Sequence, residues 1–182
     1  MSPLDLQVNG YAGTDFNRDG LTAEALHHAC ECLRADGGSQ ILATFITDTI
    51  ENLQLRVKTL ADLRERDPLA QEVIAGIHIE GPFINGEKGY VGAHPPQCVK
   101  PGTVEDAKRL VDAAQGLAKL VTLAPECDAD FKTSAWLAEQ GIVVSAGHCN
   151  PSYDTLKAAT ENGVSMFTHV GNGCPMQMHR HD

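Results

Sequence analysis

The sequence predicts an α/β protein built on a parallel sheet, and three observations carry that prediction. Apolar runs rich in β-branched residues alternate with helix-like segments along the whole chain. The helix-like segments open on hydroxyl caps and stop at glycines. The chemically useful polar residues fall at the ends of the apolar runs. Strict alternation means parallel strands joined by helical crossovers, in a sheet that is either open and doubly wound or closed into a barrel.

The candidate strands are residues 4–9, 40–46, 73–79, 119–123, 142–146 and 165–169. The first helix is expected over 23–36 behind Thr22, and the second over 53–66. The third runs over 104–115, opened by Thr103 with Asp106 three positions on. The fourth covers 132–140, and the fifth covers 153–162 behind Ser152. Gly37, Gly116, Gly141 and Gly163 stand where four of these helices should stop. An open sheet gathers ligands around one switch point, whereas a barrel converges residues from many strand ends. Here the candidates follow the first, third, fifth and sixth strands, so the expectation is a (β/α)8 TIM barrel of the metal-dependent hydrolase type. About six of its eight strands would be present, in one domain over residues 1–182. The stretch Gly10–Phe16 has neither dinucleotide nor P-loop spacing and reads as a flexible turn that lets backbone approach the site.

At 182 residues and 42% hydrophobic content the chain can bury a substantial core. Fourteen basic residues against 24 acidic ones, net −10, argue against nonspecific binding to nucleic acid or an anionic membrane. No apolar run approaches the roughly 20 residues that cross a bilayer. Six cysteines without a CxxC pair, and a start without a basic-then-apolar leader, point to the reducing cytoplasm. Cys149, beside His148, reads as a small packed side chain rather than a nucleophile.

The chemistry is expected at three strand ends. Glu80 closes the apolar run of the third strand and is followed at once by Gly81 and Pro82; His148 follows the fifth strand and His169 the sixth. One hard oxygen and two imidazole nitrogens suit zinc first, and iron, manganese or cobalt as well, with positions left open for water. Three protein ligands suggest a catalytic rather than a closed structural site. Gln7 and Asn9, two apart on the first strand, share a face. A metal-dependent barrel hydrolase would often carry a His-x-His pair there, so two amides imply one metal ion, with Gln7 and Asn9 orienting water.

The segments DLQVNGYAGTDFN, GIHIEGPFING with KGYVGAH, VSAGHCNPSYDTL and MFTHVGNGCP together resemble the N-acetylglucosamine-6-phosphate deacetylases of the amidohydrolase superfamily, in order, spacing and strand context. The resemblance implies a (β/α)8 barrel with a small β-sandwich domain, acting as a homodimer on N-acetyl-D-glucosamine 6-phosphate and releasing acetate and glucosamine 6-phosphate. It makes Glu80, His148 and His169 the metal ligands. Ala93 and His94 become substrate contacts, with His94 polarising the acetyl carbonyl, and so do Asn172 and Gly173. Arg180 becomes a phosphate-binding residue that reaches a neighbouring subunit's site. In that family the general base is an aspartate on the eighth strand.

That aspartate, an Asp-Gly-x-His segment and the sandwich strands have no counterpart here, which leads to the expectation of a fragment without turnover. Residues 169–174 read His-Val-Gly-Asn-Gly-Cys where the family has His-Leu-Phe-Asn-Ala-Met, so the sugar is left open. The final His179-Arg180-His181-Asp182 reads as an exposed loop rather than a second metal cluster. Two other functions fit the same residues: a dihydroorotase-like or deacylase amidohydrolase, and a noncatalytic sugar-phosphate-binding remnant.

Overall fold

The structure is a computed structural model that describes residues 3–38 and 40–171. Six parallel strands form one sheet in the order β1 (Leu4–Val8), β4 (Gln40–Ile46), β5 (Ile74–Glu80), β6 (Ala118–Leu123), β7 (Val143–Ala146) and β8 (Val164–Phe167). Neighbours in the sheet are therefore neighbours in sequence once a small hairpin, β2 (Gly10–Tyr11) with β3 (Thr14–Asp15), is set aside. Such singly wound order is that of a barrel wall and not of a doubly wound sheet. Contacts that skip a strand show the curl: Gln7 on β1 touches Glu80 on β5 across β4, and Thr122 on β6 touches Thr168 across β7, each at 2.8 Å. Alternate strands of a flat sheet stand roughly 9–10 Å apart. Only a sheet bent around an inner face brings them so close.

The crossover helices are α1 (Ala23–Ala35), α2 (Ile50–Glu65), α3 (Pro68–Val73), α4 (Val104–Ala113), α5 (Lys132–Glu139) and α6 (Tyr153–Glu161). α1 touches α2 and α3, α2 touches α4, and α4 touches α5, as expected when every crossover returns on the same face. Between helices and sheet lies the apolar core, with Leu26, Phe45, Leu53, Leu60, Ile77, Leu110 and Leu137 all at 1% exposure or less.

The predicted caps hold: Thr22, Thr103 and Ser152 each accept a backbone N–H three residues on. The four helix-stopping glycines all have positive φ. Three expectations need correction. α2 begins at Ile50, not 53, because the Thr49 hydroxyl caps Asn52. α3 was not expected; Asp67 caps it and Pro68 occupies its first turn, a start signal hidden between two longer elements. Gly10–Phe16 is no flexible turn but the β2–β3 hairpin, closed by positive φ at Ala12 and Gly13. A side chain at Gly10 would put its Cβ 2.2 Å from the Thr14 carbonyl oxygen, so glycine admits the close pairing. Among the described residues no helix is long and apolar enough to cross a membrane.

Candidate metal centre

Glu80 is the last residue of β5, whose neighbours on both sides bury it to 1% exposure. His148 lies two residues beyond β7, and His169 two beyond β8. Both histidines have positive φ, 49° and 32°, a region that costs a non-glycine residue about 1–3 kcal/mol. The strain turns two imidazoles inward to meet the carboxylate.

His169 Nε2 stands 3.0 Å from Glu80 Oε1 and 3.1 Å from His148 Nε2, and His148 Nε2 stands 3.3 Å from Glu80 Oε1. Donors that bind zinc tetrahedrally at about 2.0–2.1 Å are separated by roughly 3.3 Å. The three atoms already lie close to that spacing, and among the described residues this is the one cluster with the makings of a cation site. The partners of the buried carboxylate are Gln7 and two imidazoles, with no lysine or arginine among them. The site fits a divalent ion, as the sequence implies, while the donor set leaves its identity open.

Charge in the cluster follows from this crowding. Burial alone would raise the Glu80 carboxyl, but the His148 hydrogen bond and the charges of His94, His78 and His148 outweigh it and bring it to about 2. Burial would lower His148, but its bonds to Glu80 and the Tyr90 carbonyl and the Glu80 charge raise it above its ordinary value. A carboxylate facing imidazolium is what a cation site looks like with a proton standing in for the ion.

The loop over residues 81–103 completes the arrangement. Its Tyr90 carbonyl accepts from His148 Nδ1 at 2.7 Å, so Nε2 is the nitrogen that would face an ion once its proton is displaced. At Gly92, φ +58°, a Cβ would lie 3.0 Å from His148 Cε1, so the backbone closes directly on the ring. His94, 5% exposed, packs edge-on against His148 with ring centroids 4.3 Å apart. The Thr47 N–H donates to His94 Nδ1 at 3.3 Å and the Thr47 hydroxyl meets the same nitrogen at 2.8 Å. An amide N–H can only donate, so Nδ1 is the acceptor and the proton resides on Nε2. Burial, with the neighbouring His148 charge, pushes His94 down to about 4, so the ring is neutral near neutral pH.

A cavity of about 370 Å³ opens over the cluster, and Gln7, Asn9, Ala93 and His94 line it with the three ligands. Gln7, expected to orient water, donates through Nε2 to Glu80 Oε2 at 2.8 Å. Asn9 lies just past the end of β1 and keeps its place in the cavity wall. Asn172, Gly173, Arg180 and the terminal loop fall outside the described residues. Cys149 is 8% exposed with its thiol pushed up by burial to about 12, which fits a packed side chain rather than a nucleophile.

Sequence reasoning missed the groups that orient the site: Thr47 at His94, the Tyr90 carbonyl at His148, and an inner row of polar side chains beneath them. His78, two residues before Glu80 and 1% exposed, places Nδ1 3.1 Å from the Leu6 carbonyl and Nε2 2.7 Å from the Thr122 hydroxyl. Thr122 meets Thr168 at 2.8 Å, and Thr168 meets Ser145 at 2.7 Å. A histidine in the middle of an apolar strand was the available signal.

No family model matches the chain. It is 30% identical over 183 residues to N-acetylglucosamine-6-phosphate deacetylase of Bacillus subtilis (strain 168), an alignment covering 97% of this chain and 44% of that protein. It is 34% identical over 171 residues to N-acetylgalactosamine-6-phosphate deacetylase of Shewanella sp. (strain ANA-3), covering 93% and 41%. The crystal structure of N-acetyl-D-glucosamine-6-phosphate deacetylase from Mycobacterium smegmatis superposes with a TM-score of 0.82 at 30% identity, over 98% of this chain and 47% of that one. A mutant of that protein in complex with N-acetyl-D-glucosamine-6-phosphate gives 0.83. The chain thus spans less than half the length of the relatives it matches.

Proposed function

We propose that this chain is the metal-binding part of an N-acetylhexosamine-6-phosphate deacetylase, a hydrolase that cleaves the acetamide of N-acetyl-D-glucosamine 6-phosphate into acetate and glucosamine 6-phosphate. One observation carries the reading. Glu80 Oε1, His148 Nε2 and His169 Nε2 converge within 3.0–3.3 Å of one another at three strand ends, beside a neutral His94 that offers a hydrogen. The similarity to both the gluco and galacto enzymes supports the substrate class. On this reading the curled sheet belongs to a (β/α)8 barrel, residues 1–182 are one barrel domain, and the protein works as a cytoplasmic homodimer.

A bound divalent ion, zinc first among those that accept this donor set, would supply Lewis acidity, polarising the amide carbonyl and making a water acidic enough to attack it. Glu80, His148 and His169 would hold that ion. His94 Nε2–H donates to the carbonyl oxygen as negative charge gathers there, and the Thr47 contacts keep that proton aimed outward. Asn9 and Ala93 border the acyl group from the cavity wall. Asn172, Gly173 and Arg180 are assigned to the sugar phosphate.

Amide hydrolysis also needs a group that takes the water's proton and passes it to the departing amine. Among the described residues lining the cavity, Glu80 is the one carboxylate, and it is committed to the ion. The 182-residue chain is therefore expected to bind without turning over. The test is calorimetry of the zinc-loaded chain with N-acetylglucosamine 6-phosphate, its C4 epimer, unphosphorylated N-acetylglucosamine and dihydroorotate, alongside an acetate assay. Binding of the phosphorylated sugars alone supports the reading. Preference for dihydroorotate overturns it, and acetate release at enzymic rates overturns the expected inactivity.

A further inference from the structure

The edge strand β1 has a break in its ladder that other groups must bridge. Leu4 pairs with Gln40 and Asp5 with Ile41, but the next partners are Val8 and Ala43, so β1 advances three residues while β4 advances two. Leu6 and Gln7 sit in this bulge, where backbone pairing does not fix where they point. Yet Gln7 has the most demanding task on the strand: its Nε2 reaches across β4 to Glu80 Oε2 at 2.8 Å. The Leu6 carbonyl is held at 3.1 Å by His78 Nδ1, which spans the same gap.

His78 is itself clamped. A carbonyl can only accept, so Nδ1 carries a hydrogen. Nε2 meets the Thr122 hydroxyl at 2.7 Å. Thr122 in turn meets Thr168 at 2.8 Å, and Thr168 meets Ser145 at 2.7 Å. These contacts link β7 to β1 along the inner face beneath the ligands. Gly147 makes the packing possible, since a Cβ there would lie 2.6 Å from the Thr122 methyl carbon and 3.0 Å from Thr168 Cβ.

We propose that His78 is a positioning residue for the metal centre. By holding the Leu6 carbonyl it fixes the bulge that aims Gln7 at Glu80 Oε2, so that Glu80 presents only Oε1 to the ion. This rests on the reading of Glu80, His148 and His169 as metal ligands. Its consequence is that a side chain with no place in the ligand set controls how tightly the ion is held, through Gln7.

The experiment is zinc affinity of the full 182-residue chain by competition with a chromophoric chelator, with unfolding of each metal-free variant followed by circular dichroism. Gln7→Leu and His78→Leu should each weaken zinc binding by about 10- to 100-fold, as loss of an outer partner does. The double variant should be no weaker than the worse single one, because both act through one contact. His78→Asn, whose amide nitrogen can replace Nδ1 but not Nε2, should restore most of the affinity even where it melts earlier, which separates positioning from stability. If His78→Leu does not fold, His78→Gln, polar toward Thr122 but empty at the Nδ1 position, serves as the loss variant. Parent-like affinity in the loss variant, full additivity with Gln7→Leu, or no rescue by His78→Asn overturns the proposal. A parent chain that binds no zinc overturns the metal reading itself, and the two failures are thereby distinguished.

Discussion

The centre of the sheet and its two edges are built differently, and the metal centre draws on both. β4, β5 and β6 are buried along almost every residue, whereas β1 is exposed at Leu4, Asp5, Leu6 and Gln7 and β8 at Ser165 and Phe167. Two of the ligands have deep seats: the Glu80 and His148 side chains are 1% and 7% exposed, and each has a partner on the side away from the cluster, Gln7 and the Tyr90 carbonyl. The His169 side chain, beyond edge strand β8, is 20% exposed, and its Nδ1 finds no partner among the described residues. Glu80 and His148 are therefore held by partners outside the cluster, whereas His169, beyond the edge strand, has none at Nδ1 among the described residues.

The widest separation between the two regions should appear in stability. Phe45→Ala on β4 removes a fully buried ring and should cost about 3–5 kcal/mol in urea unfolding; a loss below about 1 kcal/mol would mean the centre is not the rigid part. Next in size is the centre's ligand. Glu80→Gln keeps the shape and removes the charge, and zinc binding should fall by more than the roughly hundredfold that an outer partner is worth. Elemental analysis showing unchanged metal content in that variant would remove Glu80 from the ligand set.

A smaller effect is expected from pH. Burial is outweighed by the Glu80 interactions, so His148 keeps its proton above its ordinary value of 6.5. Below that raised value a proton must leave for each ion bound, so affinity should drop by up to about tenfold per pH unit, and above it level off. A chelator titration flat from pH 8 to pH 5, two points either side of the ordinary histidine range, would show that no ligand proton is displaced. Smallest of all, Leu6→Ser at the edge, where the residue is 36% exposed, should change the unfolding free energy by less than about 0.5 kcal/mol. A loss near that of Phe45→Ala would erase the distinction between centre and edge.

The centre was also the more legible region. Apolar runs located β4 and β5 to within a residue, and Glu80 stood out because a charge closing such a run has few structural uses. His148 and His169 were visible for the same reason, one strand end at a time. What escaped was pairing across the inner face: Gln7 with Glu80 is 73 residues apart, His94 with Thr47 is 47, and His78 with Thr122 is 44. Periodicity reports which face a residue takes, not what it meets there. The hairpin at Gly10 and the short α3 were lost for a different reason, since their signals are only a few residues long and neighbour stronger ones.

Gly81 joins the two kinds of information. Its φ is +81°, and a Cβ on it would lie 2.1 Å from the Thr47 hydroxyl, the group that fixes His94. Backbone shape and side-chain space thus forbid any larger residue at the same point, and for unrelated reasons. For anyone redesigning this loop to accept another substrate, the residue directly after the ligand carboxylate is a fixed point. A saturation library there should return glycine alone among variants that keep the Thr47 to His94 contact.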